Sequence, residues 1–148
     1  MQRIAVVGAS VLLFVGCATY QVSEKSIARA EARWMQAGVT SYSFNLRINA
    51  FTPPSECAER GVISVVVRHS QFASFGKYAA PPDNEADEAS IPGLFRMMRE
   101  SKRGGAPGVK AQFDSKYGFP RTIEIVVMRW ATDSTFTYYI DNFRQIAE

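Results

Sequence analysis

The segment that most constrains the fold is the run from Ser41 to Ala50, in which polar and apolar side chains alternate without a fault. Successive side chains of a β-strand point to opposite faces of the sheet, so this alternation indicates a strand with one buried and one solvated side. Such strands are typical of antiparallel sheets that bury one face and leave the other in water. The apolar side carries Tyr42, Phe44, Leu46, Ile48 and Ala50. We therefore expect a half-exposed sheet.

Two helices and further strands are predicted around this segment. Ser23 can cap a helix over residues 24–37, and Ser90 can cap a second helix that ends at Gly104-Gly105. Short apolar stretches favour strands over 62–68, 72–78, 109–113, 122–130 and 135–143. Short connections between the last strands imply antiparallel neighbours. The predicted class is α+β: an antiparallel sheet of four to five strands with one or two helices packed on one face.

The N-terminus resembles the signal peptide of a bacterial lipoprotein. Residues 4–15 are almost wholly apolar after a basic start, and the small residue Gly16 directly precedes Cys17. A dozen apolar residues are too few to cross about 30 Å of hydrocarbon, but they fit the apolar region of a secretory signal. The Cys17 thiol would take a diacylglyceryl group, and cleavage after Gly16 would free an amino group for a further acyl chain such as palmitate. The sequence predicts a signal peptide at 1–16, a lipidated tether at 17–22 and one domain at 23–148.

An acylated Cys17 makes the membrane the first predicted partner, because two or three acyl chains hold a protein stably on a bilayer. Ala18, rather than an aspartate, follows it. By resemblance to Gram-negative sorting signals, this favours the outer membrane, with the protein facing the periplasm. Lys25, Arg29 and Arg33 recur every four residues along the first helix. They are either contacts to anionic headgroups or an ordinary solvated face.

Charge and residue chemistry favour a protein without catalytic activity. Loss of the signal peptide lowers the net charge from +3 to +2, which gives no reason to expect nucleic acid as a partner. His69 is the sole histidine and falls in a predicted surface turn, so a Ser-His-Asp or Cys-His arrangement lacks its parts. One histidine and one free thiol also do not make a zinc site. We expect no enzyme, no metal and no cofactor.

Cys57 would have no partner within the chain once Cys17 carries lipid. Free cysteine is among the most buried residue types, which favours a packed and inert thiol. A reactive thiol and a disulfide to a partner protein remain as alternatives.

Four short motifs follow one another along the chain. They are Trp34 ahead of Tyr42-Ser43-Phe44, the strand Val62–Val67, the helix start Ile91-Pro92-Gly93-Leu94-Phe95, and Asp114 with Tyr117-Gly118-Phe119-Pro120. Together, over residues 30–143, they resemble a family of small bacterial lipoprotein domains of unknown function. The resemblance implies no activity and no catalytic residues. The glycine turn usual in that family after the second strand is replaced here by His69-Ser70-Gln71.

The leading prediction is a membrane-anchored, non-enzymatic binding or accessory protein of the cell envelope. Exposure of Trp130 and Tyr139 near the last strands would favour a partner-binding sheet face. The alternative is an inhibitor or assembly factor of another envelope protein, acting through an edge strand or Cys57. A third prediction is a carrier for a small apolar ligand held between helix and sheet.

Overall fold

The computed structural model describes residues 20–49, 61–76, 89–127 and 135–147, which form two helices and one seven-stranded antiparallel sheet. The helices are α1 (Glu24–Ala37) and α2 (Ile91–Arg103). The strands are β1 (Tyr20–Gln21), β2 (Tyr42–Asn49), β3 (Ile63–Arg68), β4 (Gln71–Phe75), β5 (Gly108–Phe113), β6 (Pro120–Val126) and β7 (Thr135–Gln145). Their order across the sheet is β1-β5-β6-β7-β2-β3-β4.

The α+β class is confirmed, but the predicted four to five strands are too few. The sequence predicts a tether at residues 17–22, whereas Tyr20 and Gln21 pair with β5 as an edge strand. The Val22 N–H continues this pairing by donating to the Val109 carbonyl at 2.9 Å, and its side chain is buried. A two-residue strand has no periodicity to recognise, so only its partner strand reveals it.

Both helices begin and end at the caps that the sequence predicts. The Ser23 hydroxyl accepts a hydrogen bond from the Ser26 N–H, and the Ser90 hydroxyl accepts one from the Gly93 N–H. These bonds satisfy amide groups that the first turn of a helix leaves without a partner. Gly38 ends α1 in the left-handed conformation, with φ +60°.

The two helices cover one face of the sheet and share a single core with it. In β2, Tyr42, Phe44 and Leu46 are buried as the alternation predicts. The largest fully buried side chains from the rest of the chain include Ile27, Ile91, Leu94, Phe95, Met98, Val65 and Ile123. The opposite face of the sheet carries the polar side chains of the same strands, and we call it the open face.

The flank of α2 that faces α1 contains a residue that helical spacing assigns to solvent. Ile91, Leu94, Phe95 and Met98 form the apolar stripe of α2, and helical spacing predicts that Arg99 lies on the outer, solvated side of the helix. The Arg99 guanidinium instead forms a bidentate ion pair with the Glu31 carboxylate of α1. Spacing along one helix does not show which of its flanks a second helix will cover.

An aromatic cluster joins α1 to the sheet. The Trp34 ring lies edge-on to Tyr42, with centroids 5.2 Å apart, and edge-on to Phe143 at 5.9 Å. Phe119 stacks on Phe143 at 4.3 Å. Aromatic pairs with such geometries contribute about 0.5–1.5 kcal/mol each beyond the burial of their area.

The turn between β5 and β6 lies directly on α1. Its bend at Gly118 has φ +84°, and a Cβ at this position would lie 2.3 Å from the Ala30 carbonyl oxygen. The Asp114 carboxylate organises the turn by accepting hydrogen bonds from the N–H groups of Lys116 and Tyr117, at 2.9 and 2.7 Å. The turn therefore requires glycine at position 118 for two reasons, the positive φ of the bend and the close packing against α1.

Candidate functional site

Several residues singled out by the sequence lie outside the described residues. They are the signal peptide with Gly16, the acylation candidate Cys17, the thiol Cys57 and the aromatic Trp130.

The basic residues predicted on α1 are all exposed to solvent. Lys25, Arg29 and Arg33 are exposed, whereas Glu31, which could have offset their charge, is held by Arg99 on the flank toward α2. The Arg33 guanidinium donates to the Ser115 carbonyl at 3.2 Å, and this contact sets the β5–β6 turn beside the helix. The next residue of that turn, Lys116, is fully exposed. We group Lys116 with the predicted stripe because it follows Ser115, the residue that Arg33 contacts, and we call these four residues the basic strip.

A cleft of about 440 Å³ opens between the end of α1, the β3–β4 turn and the start of α2. Its walls include Trp34, Val67 and Phe72, and its rim carries Ser70 and Gln71. Ligand sites in proteins typically measure about 300–1,000 Å³ and combine apolar walls with a few polar groups. The volume of the cleft therefore falls within the range of small-molecule sites.

The β3–β4 turn at the rim of this cleft is strained. His69 and Ser70 both have positive φ, at +49° and +63°, as a two-residue type I′ hairpin requires. Glycine and asparagine are the usual residues in such turns because other side chains make this conformation costly. Two hydrogen bonds hold the turn, from the Ser70 N–H to the Thr40 carbonyl at 2.8 Å and from the His69 N–H to the Ser41 hydroxyl at 3.1 Å.

The open face of the sheet presents an aromatic and charged patch. The Arg47 guanidinium lies 4.6 Å from the centroid of the Tyr139 ring and 3.7 Å from the Asp141 carboxylate. Tyr139 is half-buried on this face, whereas Tyr138 lies on the helix-covered side because it pairs with the buried Ile123. Of the two aromatic residues predicted for a binding face, Tyr139 is thus on the open face, and Trp130 lies outside the described residues.

A β-bulge in β7 creates a second feature of the open face that the sequence did not predict. Ser43 pairs with Arg144 and Asn45 with Asp141, so two residues of β7 stand opposite one residue of β2. Beside the bulge is a shallow hollow of about 260 Å³. Its polar lining consists of Ser43, Asn45, Ser64, Asn142 and Arg144.

One irregularity of the sequence marks this bulge. Ile140 faces the core, and strict alternation would send Asn142 to the core and Phe143 to solvent. Phe143 instead joins the aromatic cluster, because Asn142 takes the left-handed conformation at φ +53° and shifts the pattern by one residue. An apolar residue one position late in a strand is the signal that could have revealed the bulge.

His69, the histidine that a catalytic arrangement would need, is exposed at the tip of the β3–β4 hairpin. Among the described residues, no three His, Cys, Asp or Glu side chains come together as a metal site would require. Within the same ranges, neither helix has the length and apolar character needed to cross a membrane.

The motifs that carried the family resemblance meet around Tyr42, which pairs with Val67 of β3 and whose hydroxyl accepts a hydrogen bond from the Ile91 N–H. Trp34, Tyr42 and Phe119 pack together, and Gly118 brings their turn onto α1. Comparison with curated proteins finds no match, and comparison with solved structures finds none. A family model does match the chain, over residues 26–145, which include all four motifs. The protein therefore belongs to the family of unknown function designated DUF6174.

Proposed function

We propose that the protein is a lipid-anchored, non-enzymatic binding protein of the cell envelope, with α1 against the membrane and the open face of the sheet turned toward its ligand. The observation that carries this proposal is the early start of the fold. Tyr20, only three residues after Cys17, already pairs with β5.

The reach of the anchor follows from chain geometry. Three extended residues span at most about 11 Å, so acylation of Cys17 would hold the domain against the bilayer surface. Tyr20 lies opposite Ala111, two residues before the end of β5. The turn that follows β5 carries Lys116, so one end of the basic strip is close in the chain to the strand beside the anchor.

The basic strip gives the domain a surface that suits an anionic bilayer. A Lys or Arg near such a surface contributes about 1 kcal/mol of attraction, which fades within about 10 Å at moderate salt. With α1 lying along the bilayer surface, as proposed, Lys25, Arg29, Arg33 and Lys116 would fall within that range.

This orientation leaves the open face accessible. The helices cover the other side of the sheet, so a membrane in contact with α1 would lie opposite the patch of Arg47 and Tyr139. Aromatic and arginine side chains are those that most often dominate binding energies at protein surfaces. Their position supports a binding role for the open face.

The membrane contact can be tested with vesicles and an unacylated chain. The mature chain with Cys17→Ser is expected to sediment with phosphatidylglycerol vesicles and not with phosphatidylcholine vesicles. Adding Lys25→Glu and Arg29→Glu should lower the partition coefficient at least about 30-fold, since about 2 kcal/mol of attraction is lost.

A second double variant serves as the control, because it has the same net charge as the variant with Lys25→Glu and Arg29→Glu. Arg68→Glu with Arg121→Glu reverses two exposed residues outside the basic strip. This control should bind within a few-fold of the parent. Equal losses in the two double variants would mean that net charge matters and that α1 has no special orientation.

The cleft favours a second candidate function, the carrying of a small apolar ligand. Its aromatic wall and its volume of about 440 Å³ are the supporting observations. Calorimetric titration with a medium-chain fatty acid should show saturable binding that Gln71→Phe, which fills the cleft, abolishes. Gln36→Phe, at an exposed position of α1, should bind as well as the wild type. No heat with the wild type would rule out fatty acids as its cargo.

A further inference from the structure

We propose that the hollow beside the β7 bulge binds a carboxylate-bearing sugar through Arg144. The proposal deepens the proposed binding function and rests on it only in that the open face must be accessible. Nothing in it depends on acylation of Cys17.

The β7 bulge places Arg144 in the proposed site. By moving Phe143 into the aromatic cluster, it brings Arg144 to the open face, where it pairs with Ser43 of β2. Without the extra residue, Arg144 would point toward the helices. Bulges commonly re-aim a side chain in this way beside functional sites, and asparagine adopts the left-handed conformation more readily than most other residues.

Arg144 is available for an anion. Its side chain is exposed, and no hydrogen bond or ion pair joins it to another residue in the described ranges. The nearest acidic residue on the same strand, Asp141, lies 3.7 Å from the Arg47 guanidinium, which offsets its charge. A guanidinium without a carboxylate partner matches a ligand carboxylate, because it can donate two parallel hydrogen bonds.

The rest of the lining suits hydroxyl groups. Ser43, Asn45, Ser64 and Asn142 are uncharged, and each side chain can both donate and accept hydrogen bonds. A sugar ring presents hydroxyls that also do both. The hollow, at about 260 Å³, has room for one monosaccharide unit. One cation surrounded by neutral amides and hydroxyls therefore points to a uronic-acid type of unit.

The test compares glucuronate with glucose, which is of nearly equal size, and with glucose 6-phosphate, by calorimetry on the purified full chain. Glucuronate should bind, and glucose, which lacks the carboxylate, should bind at least tenfold more weakly. Arg144→Gln should weaken glucuronate binding at least tenfold. Arg68→Gln, an exposed arginine of β3 outside the hollow, should leave it unchanged. Ser64→Tyr, which fills the hollow from the neighbouring strand, should also abolish binding.

Three results would overturn the proposal. Equal binding of glucose and glucuronate would remove the role of the carboxylate. Tighter binding of glucose 6-phosphate than of glucuronate would show a phosphate site. Unchanged binding in Arg144→Gln would place the site elsewhere. Failure here would leave the vesicle result untouched, so the two proposals can fail separately.

Discussion

Gly118 shows how a single residue can be required by two independent constraints. Its φ of +84° disfavours any side chain, and a Cβ would also approach the Ala30 carbonyl oxygen to 2.3 Å. We expect Gly118→Ala to destabilise the domain by about 2–5 kcal/mol, from the left-handed conformation and from overpacking. Urea unfolding followed by circular dichroism would measure the loss.

Gly38→Ala is the matched comparison for this prediction. Gly38 has φ +60°, but a Cβ added there would meet no atom within 4 Å. Its replacement should cost only the conformational part, about 1–2 kcal/mol. Similar losses at both positions would contradict the close packing of the β5–β6 turn on α1.

Ionisation of Tyr42 makes the stability of the domain depend on pH. Burial raises its pKa to about 12, against a smaller lowering by the hydrogen bond that its hydroxyl accepts from the Ile91 N–H. In the unfolded chain the phenol ionises near its ordinary pKa of about 10. The stability that neutral Tyr42 contributes is therefore complete below pH 10 and is lost as pH rises toward 12.

Tyr42→Phe should remove this part of the alkaline transition. The wild type should lose about 2 kcal/mol more than the variant between pH 10 and 12, which is most of the total of about 3 kcal/mol that two pKa units represent. At pH 8 the variant should be less stable by about 1 kcal/mol, because the Ile91 N–H loses its acceptor. Denaturant melts at both ends of the range test this. Parallel pH profiles would show that Tyr42 ionises normally.

Elements governed by local signals could be predicted from the sequence. Residues 24–37 and the start of α2 were predicted correctly because serine caps and helical spacing are local. The alternation of β2 also correctly indicated its buried side. Features set by distant partners could not be predicted, since β1 exists only through β5 and the β7 bulge only through β2.

The candidate site likewise contains some residues that local sequence signals could predict and others that depend on distant contacts. The stripe on α1 was visible as a repeat of four residues, but Lys116 joins it through a contact between Arg33 and Ser115. Arg144 was missed because its direction depends on one extra residue in β7. The pairing of β2 with β7 joins residues almost a hundred positions apart, and no periodicity reports such a contact.

The β3–β4 hairpin is an element whose strain can be relieved. Ser70 has φ +63°, which glycine adopts without steric cost. We expect Ser70→Gly to stabilise the domain by about 0.5–1 kcal/mol, measured as a higher melting temperature. Ser74→Gly, in β4 itself, should have the opposite sign, because glycine weakens a strand interior. A loss of stability in Ser70→Gly would mean that the serine side chain stabilises the turn.

At the scale of the whole molecule, two strand pairs join the two halves of the chain: the short pair of β1 with β5 and the long pair of β2 with β7. The β2–β3–β4 hairpins come from the first half and the β5–β6–β7 meander from the second, and β2 with β7 joins them in one sheet. Both helices then pack on the same face, which leaves the basic strip and the open face as separate surfaces. This separation is what would let the domain rest on a membrane while binding a ligand on the opposite side.

Intact mass combined with membrane fractionation is the decisive measurement of whether Cys17 is acylated and holds the protein on the membrane. Wild type should be found in the membrane fraction, with a mass that shows loss of residues 1–16 and gain of a diacylglyceryl group and an acyl chain. Cys57→Ser, the matched control, should behave identically. Cys17→Ser should lack the lipid and leave the membrane fraction. A wild type that is soluble and unmodified would show that Cys17 is not a lipid anchor.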